Sequence, residues 1–173
     1  VRDQDSGFRI RVIFVASVEL LAMMIWAGGM LALGAIAAPI VFGMVPSPTS
    51  ADAMTAVFLR FDRVAMTCAA IALVAESVLG RSGGKIERVD LVRLAVVAIA
   101  GALAITQGAW LSPRIAELHQ HGAIRGLGDS GLALESAHRW SERCGKTELA
   151  LLVLAVFLVV AKARALQKPA TRS

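Results

Sequence analysis

Hydrophobic positions in this chain come in long runs rather than in alternation. Val12 to Phe42 is uncharged apart from Glu19, Val64 to Gly80 apart from Glu76, and Leu94 to Leu111 throughout; Leu149 to Ala161 forms the core of a fourth run. A helix needs roughly 20 apolar residues to cross a bilayer core about 30 Å thick, so runs of this length predict membrane spans. The expected spans are about 12–42, 60–80, 92–112 and 143–162. The predicted fold class is therefore all-α, an integral membrane antiparallel four-helix bundle of up-down-up-down topology forming one domain over residues 1–173. The alternative is a soluble helical bundle with an unusually apolar core, and runs this long and clean have few soluble counterparts. A signal peptide is the alternative for the first run, and cleavage would leave three spans. The run is about twice the length of a signal-peptide core.

Turn residues suggest that the helices overshoot the bilayer on the outer side. Met44 to Ser50 holds Pro46 and Pro48 and cannot be helical throughout, while Thr49 or Ser50 can cap a helix beginning near Ala51. Pro113 can bend or end the third helix, and the glycines between Gly122 and Gly131 mark a turn before a fourth helix running from about Ser130 to Ala165. The short segment Arg81-Ser82-Gly83-Gly84-Lys85 makes the second and third helices antiparallel neighbours. Small residues, namely Gly28, Gly29, Gly34, Ala38, Ala65, Ala69, Ala70, Ala98, Gly101 and Ala102, are expected to let the backbones approach closely.

Composition agrees with a membrane chain. Of 173 residues, 57% are hydrophobic and 18% charged, with a mean hydropathy of +0.67. The net charge of +5 is no nucleic-acid stripe, because the basic residues stand beside the ends of the apolar runs. Eleven of them (Arg2, Arg9, Arg11; Arg81, Lys85, Arg88, Arg93; Lys162, Arg164, Lys168, Arg172) fall on one side of the expected topology and seven on the other. Both termini are thus predicted to be cytoplasmic, in a bacterial inner membrane, with no nucleic-acid partner.

Ionisable groups inside a span are costly, so each calls for a partner or a purpose. Glu19 and Glu76 fall at similar depth near the cytoplasmic ends of the first two helices, and Arg93 enters the third from the same side. A carboxylate there would pair with Arg93 or hold its proton, giving either an ion or proton site or an interhelical clamp. Glu19, Met23, Trp26 and Met30 recur at helical spacing, a face suited to soft Cu(I) or simply to packing. Near the outer side, Glu135 and His138 have Glu-x-x-His spacing, as in di-iron bundles, but no second copy follows. With Glu117, His119 and His121 they could ligate zinc or copper, or be solvated helix ends. Cys68 and Cys144 fall toward the outer side, as a disulfide or as two packed thiols.

Trp26-Ala27-Gly28-Gly29 with Ala38-Pro39 and Phe42, Phe58-Leu59-Arg60-Phe61, Ser112-Pro113-Arg114-Ile115 with Leu118, and His138-Arg139-Trp140-Ser141 together resemble an uncharacterised membrane family. That family is typified by transmembrane protein 205. The resemblance covers most of the chain and implies the four-helix fold without implying an activity. The chain has Cys144-Gly145 near the place where that family often carries Asn. Trp26-Ala27-Gly28-Gly29 alone is also similar to copper-resistance and haem-pathway membrane proteins. Those commonly place a histidine within a span, whereas His119, His121 and His138 fall in or beside the outer connection.

No Ser-His-Asp order, phosphate loop or Cys-x-x-Cys pair stands in a structural context that would support catalysis. Three function classes follow. The first is a structural or accessory subunit of a membrane complex, with the lipid bilayer and other membrane subunits, or copies of itself, as partners. The second is an ion or metal transporter or resistance protein working as an oligomer. The third is a haem- or copper-binding redox protein. No cofactor is required by the sequence.

Overall fold

The computed structural model describes residues 2–82 and 87–167. Gly83, Gly84 and Lys85 of the expected turn, and Lys168 and Arg172 of the basic tail, lie outside the described residues. The described chain is helical without strands. It forms α1 (Arg2–Leu31), a π-helical segment (Ala32–Ala37), α2 (Ala38–Met44), α3 (Thr49–Ser82), α4 (Arg88–Thr106), a second π-helical segment (Gln107–Leu111), α5 (Ser112–Gln120) and α6 (Gly128–Gln167). Because the π segments join their neighbours end to end, these elements make four long rods. The first rod packs on α3, α3 on the third rod, the third on α6, and α6 returns to α1.

Local chemistry sets the ends of these rods. α3 begins at Thr49, two residues before the expected start, and α6 at Gly128 rather than near Ser130. α4 starts with a reciprocal cap, in which the Glu87 side chain takes an N3 backbone N–H and the Asp90 side chain takes the Glu87 N–H. Pro113 does not end the third rod. Proline offers no N–H and crowds the carbonyl four residues before it, which is Ala109 for Pro113 and Ala35 for Pro39. In both places that carbonyl lies inside a π-helical turn. The Ser112 N–H reaches back to Gln107 O and the Ala38 N–H to Leu33 O, so the rod continues through the proline.

α5 closes in a Schellman motif. Gly122, at φ +73°, donates to His119 O over 2.9 Å, and Ala123 donates to Leu118 O over 3.0 Å. A small second core forms beneath it from Ile115, Leu118 and Leu134. Gly131 lies so close to Ile124 O that a Cβ there would strike backbone. Gly131→Ala is expected to lower the thermal midpoint of the detergent-solubilised protein, at a cost of about 1–3 kcal/mol. Gly80→Ala, with open space around it, is expected not to.

The main core is made of small side chains and few large ones: Ala22, Ala65, Ala69, Ala72, Ala100, Ala104 and Ala155 around Met23, Trp26, Val97 and Leu152. Large apolar side chains point outward instead, including Ile10, Phe14 and Met24 on α1, Val74 on α3, Ile99 and Ile105 on α4, and Phe157 on α6. Phe14 and Phe157 are 67% and 68% exposed. Three of the rods contain stretches long and apolar enough to cross a membrane, namely Ile10–Met44, Arg88–Gln120 and Gly128–Ala161. In α3, Asp52, Arg60, Asp62 and Arg63 confine the apolar run to Val64 onward.

Close packing of small residues holds only in part. Ala65, Ala69 and Gly101 are buried, and Gly29 meets the Phe61 ring. Gly28, Gly34, Ala70, Ala98 and Ala102 face outward. Small residues occur all round these helices, so their presence alone does not select the inward face.

Candidate functional site

Two buried polar clusters interrupt the apolar core. The first joins three rods through Glu19 on α1, Glu76 on α3 and Arg93 on α4, which are 1%, 4% and 7% exposed. Arg93 grips Glu76 with two N–H groups. Its Nε donates to Oε1, and a terminal nitrogen donates to Oε2 over 2.7 Å. This fork matches a carboxylate in plane, which a lysine could not do. Glu19 neighbours both Glu76 and Arg93, while its Oε1 is buried without a partner among the described residues. Two carboxyl groups therefore stand near one guanidinium, which is bonded to Glu76. Glu19 also continues the inward stripe through Met23, Trp26 and Met30, the first two fully buried.

The second cluster lies fourteen residues away along α3, about 21 Å at 1.5 Å per residue. Trp26 Nε1 donates to Glu148 Oε1 over 2.6 Å, in full burial, tying α1 to α6. Asp62 on α3 is 7% exposed and has Ser112, at the start of α5, as a polar neighbour. Around these groups opens a cavity of about 540 Å³, whose lining includes Asp62, Gln107, Glu148, Phe58, Phe61 and Met30. Three acceptors in this cluster have no hydrogen-bond partner among the described residues: Asp62 Oδ2, Gln107 Oε1 and Glu148 Oε2.

Neither Asp62, Gln107 nor Glu148 stood out in the sequence. Asp62 sits between Arg60 and Arg63 and Glu148 beside Lys146, so both acids passed for charged ends of apolar runs. The signal for Glu148 was the stripe Leu134, His138, Ser141, Gly145, Glu148, Leu152 and Ala155, at alternating steps of four and three. Such a stripe marks the inward face of a packed helix.

The histidines and acids near the connection between α5 and α6 are engaged separately. His119 and His138 meet edge to face, with ring centroids 5.8 Å apart. His121 sets its Nδ1 2.8 Å from Glu117 O. Glu135 is held by Arg125 and by Arg139, Glu117 by Arg114, and Glu142 by Lys146. Among the described residues, no group of three or more His, Cys, Asp or Glu side chains is placed to hold a metal ion. Cys68 is buried and Cys144 half-buried, and both are free thiols.

No curated protein and no solved structure matches the chain. A family model described as a domain of unknown function, DUF4149, matches residues 21–123. The match takes in Glu76, Arg93, Asp62 and Gln107, and leaves out Glu19, two residues before its start, and Glu148, well past its end. As it spans more than half of the 173 residues, the chain belongs to the DUF4149 family of uncharacterised domains.

Proposed function

We propose that this protein is an integral membrane protein of one domain, residues 1–173, whose four rods cross the bilayer up-down-up-down with both ends in the cytoplasm of a bacterium. Its role is that of a structural or accessory subunit in the inner membrane. The observation that carries this reading is the inverted distribution of side-chain size, with a core rich in alanine and many Ile, Leu, Val and Phe side chains outside. Apolar surface of this extent facing water costs roughly 25 cal/mol per Å². Against lipid it costs nothing, and small residues inside then bring the helices close enough to pack. α6 at 40 residues is about 60 Å long, which supports a helix that overshoots the membrane.

In this setting Arg93, Glu76 and Glu19 act as an interhelical clamp. The short sequence motifs support a likeness to the transmembrane-protein-205 family, which the DUF4149 description neither names nor opposes. Affinity purification of the full chain after gentle detergent extraction tests the subunit role. Other membrane proteins, or further copies of the chain, are expected in fixed stoichiometry; a monodisperse, partner-free monomer would overturn that role.

The excess carboxyl at Glu19 favours a second reading, as an ion-handling protein. It requires flux in proteoliposomes that depends on Glu19 and Glu76. Unchanged flux in Glu19→Gln and Glu76→Gln would count against it.

A further inference from the structure

We propose that the cavity between Asp62, Gln107 and Glu148 is a binding site for an organic ammonium compound, a protonated amine carried on an apolar body. This inference is independent of the clamp and of the subunit role. The walls and the floor of the cavity have opposite chemistry. Phe58, Phe61, Met30 and Leu149 supply apolar and aromatic surface. The partnerless atoms Asp62 Oδ2, Gln107 Oε1 and Glu148 Oε2 are all acceptors. Buried acceptors without donors are costly, so three partnerless acceptors, two of them on acids, call for a donor-rich, positively charged group.

The protein does not supply that charge itself. Three basic side chains reach the cavity: Arg125 and Lys146 are committed to Glu135 and Glu142 respectively, and His138 packs edge to face against His119. Among the described residues, no basic side chain forms an ion pair with Asp62 or Glu148. A small inorganic ion accounts for the carboxylates but not for a chamber of about 540 Å³, which falls in the range of small-molecule sites. A divalent metal is disfavoured further, because the acids do not converge as a ligand set. An ammonium head can bridge the acceptors while its apolar body lies along the Phe58 and Phe61 rings, whose faces attract cations.

The two prolines take part in shaping the chamber. Leu31, Leu33, Gly34 and Ala35 from the first π-helical region and Gln107 from the second line it. Without the wider turns that Pro39 and Pro113 accompany, these residues would sit at α-helical positions. Leu31, Gly34 and Lys146 are exposed, so the chamber opens to the molecular surface.

The test uses the full chain in lipid nanodiscs and three probes with the same body: 4-phenylbutylamine, 4-phenylbutanol and 4-phenylbutyrate. Saturable binding is measured by calorimetry, with empty nanodiscs as the blank. The amine is expected to bind one per chain, and the alcohol and the carboxylate about ten-fold more weakly or not at all. Asp62→Asn and Glu148→Gln are each expected to weaken amine binding about ten-fold or more. Ser141→Trp, on the chamber wall, is expected to abolish it while leaving helicity and elution volume unchanged. That variant keeps the result interpretable should Glu148→Gln fail to fold. Equal binding of the three probes, undiminished amine binding in the variants, or absence of saturable amine binding would each overturn the proposal. Binding of sodium or potassium at Glu148 in place of the amine would overturn it as well.

Discussion

Arg93→Met is expected to destabilise the bundle by about 3–5 kcal/mol, the usual cost of leaving a buried charged partner without its counterion. Here the cost falls on two acids. Glu76 loses both hydrogen bonds from the guanidinium, and Glu19 loses a neighbouring cation. Glu76→Gln is expected to cost less, because Arg93 can turn to Glu19, which already lies beside it. The order of the two effects thus reports whether the three groups form one unit. Unfolding in mixed micelles, followed by circular dichroism, measures both variants. A larger loss for Glu76→Gln than for Arg93→Met would show that Glu19 does not share the guanidinium.

Trp26 is expected to be the next most sensitive position, for two separable reasons. It is fully buried, and removing such a side chain costs about 3–5 kcal/mol in Trp26→Ala. Trp26→Phe retains most of the packing but deletes the N–H that Glu148 Oε1 accepts. Since Glu148 Oε2 already has no partner among the described residues, both oxygens would then go unmatched, at about 1–3 kcal/mol. Urea or detergent titration of the two variants checks the sizes. Equal losses would mean that the indole acts through its hydrogen bond alone, and no loss in Trp26→Phe that it acts through packing alone.

The helices were legible because their signal is coarse. Apolar runs such as Leu94 to Leu111 survive any choice of rotational phase, so helix number and approximate ends follow from composition along the chain. Thr49 as the start of α3 and the glycine-rich approach to α6 followed from turn chemistry to within two residues. Facing was harder. Gly28 and Ala102 look as suited to close packing as Gly29 and Gly101, and only the positions of the neighbouring rods distinguish them. Proline was misleading for a related reason. Pro113 has the local chemistry of a helix end, and the π turn that lets the rod continue depends on hydrogen bonds five residues apart.

The polar groups divided along the same line. Glu19 and Glu76 stood alone within apolar runs, and their common depth with Arg93 followed from antiparallel crossing. Asp62 and Glu148 stood next to basic residues at the margins, where charge is ordinary, and their burial comes from lateral packing by other rods. His119 and His138 do come together as rings, while Glu135 belongs to Arg125 and Arg139 rather than to a ligand set.

The most direct test of the four-span account is labelling of single cysteines by a membrane-impermeant maleimide, in a background where Cys68 and Cys144 are alanine. Gly7→Cys, Ser47→Cys and Ile124→Cys place the reporter in the first turns of the first rod, between the first and second, and between the third and fourth. In intact cells with a permeabilised outer envelope, the reporters at 47 and 124 are expected to react, and that at 7 only after lysis. If α3 did not cross the bilayer, positions 47 and 124 would lie on opposite sides, and labelling of one without the other would contradict the account.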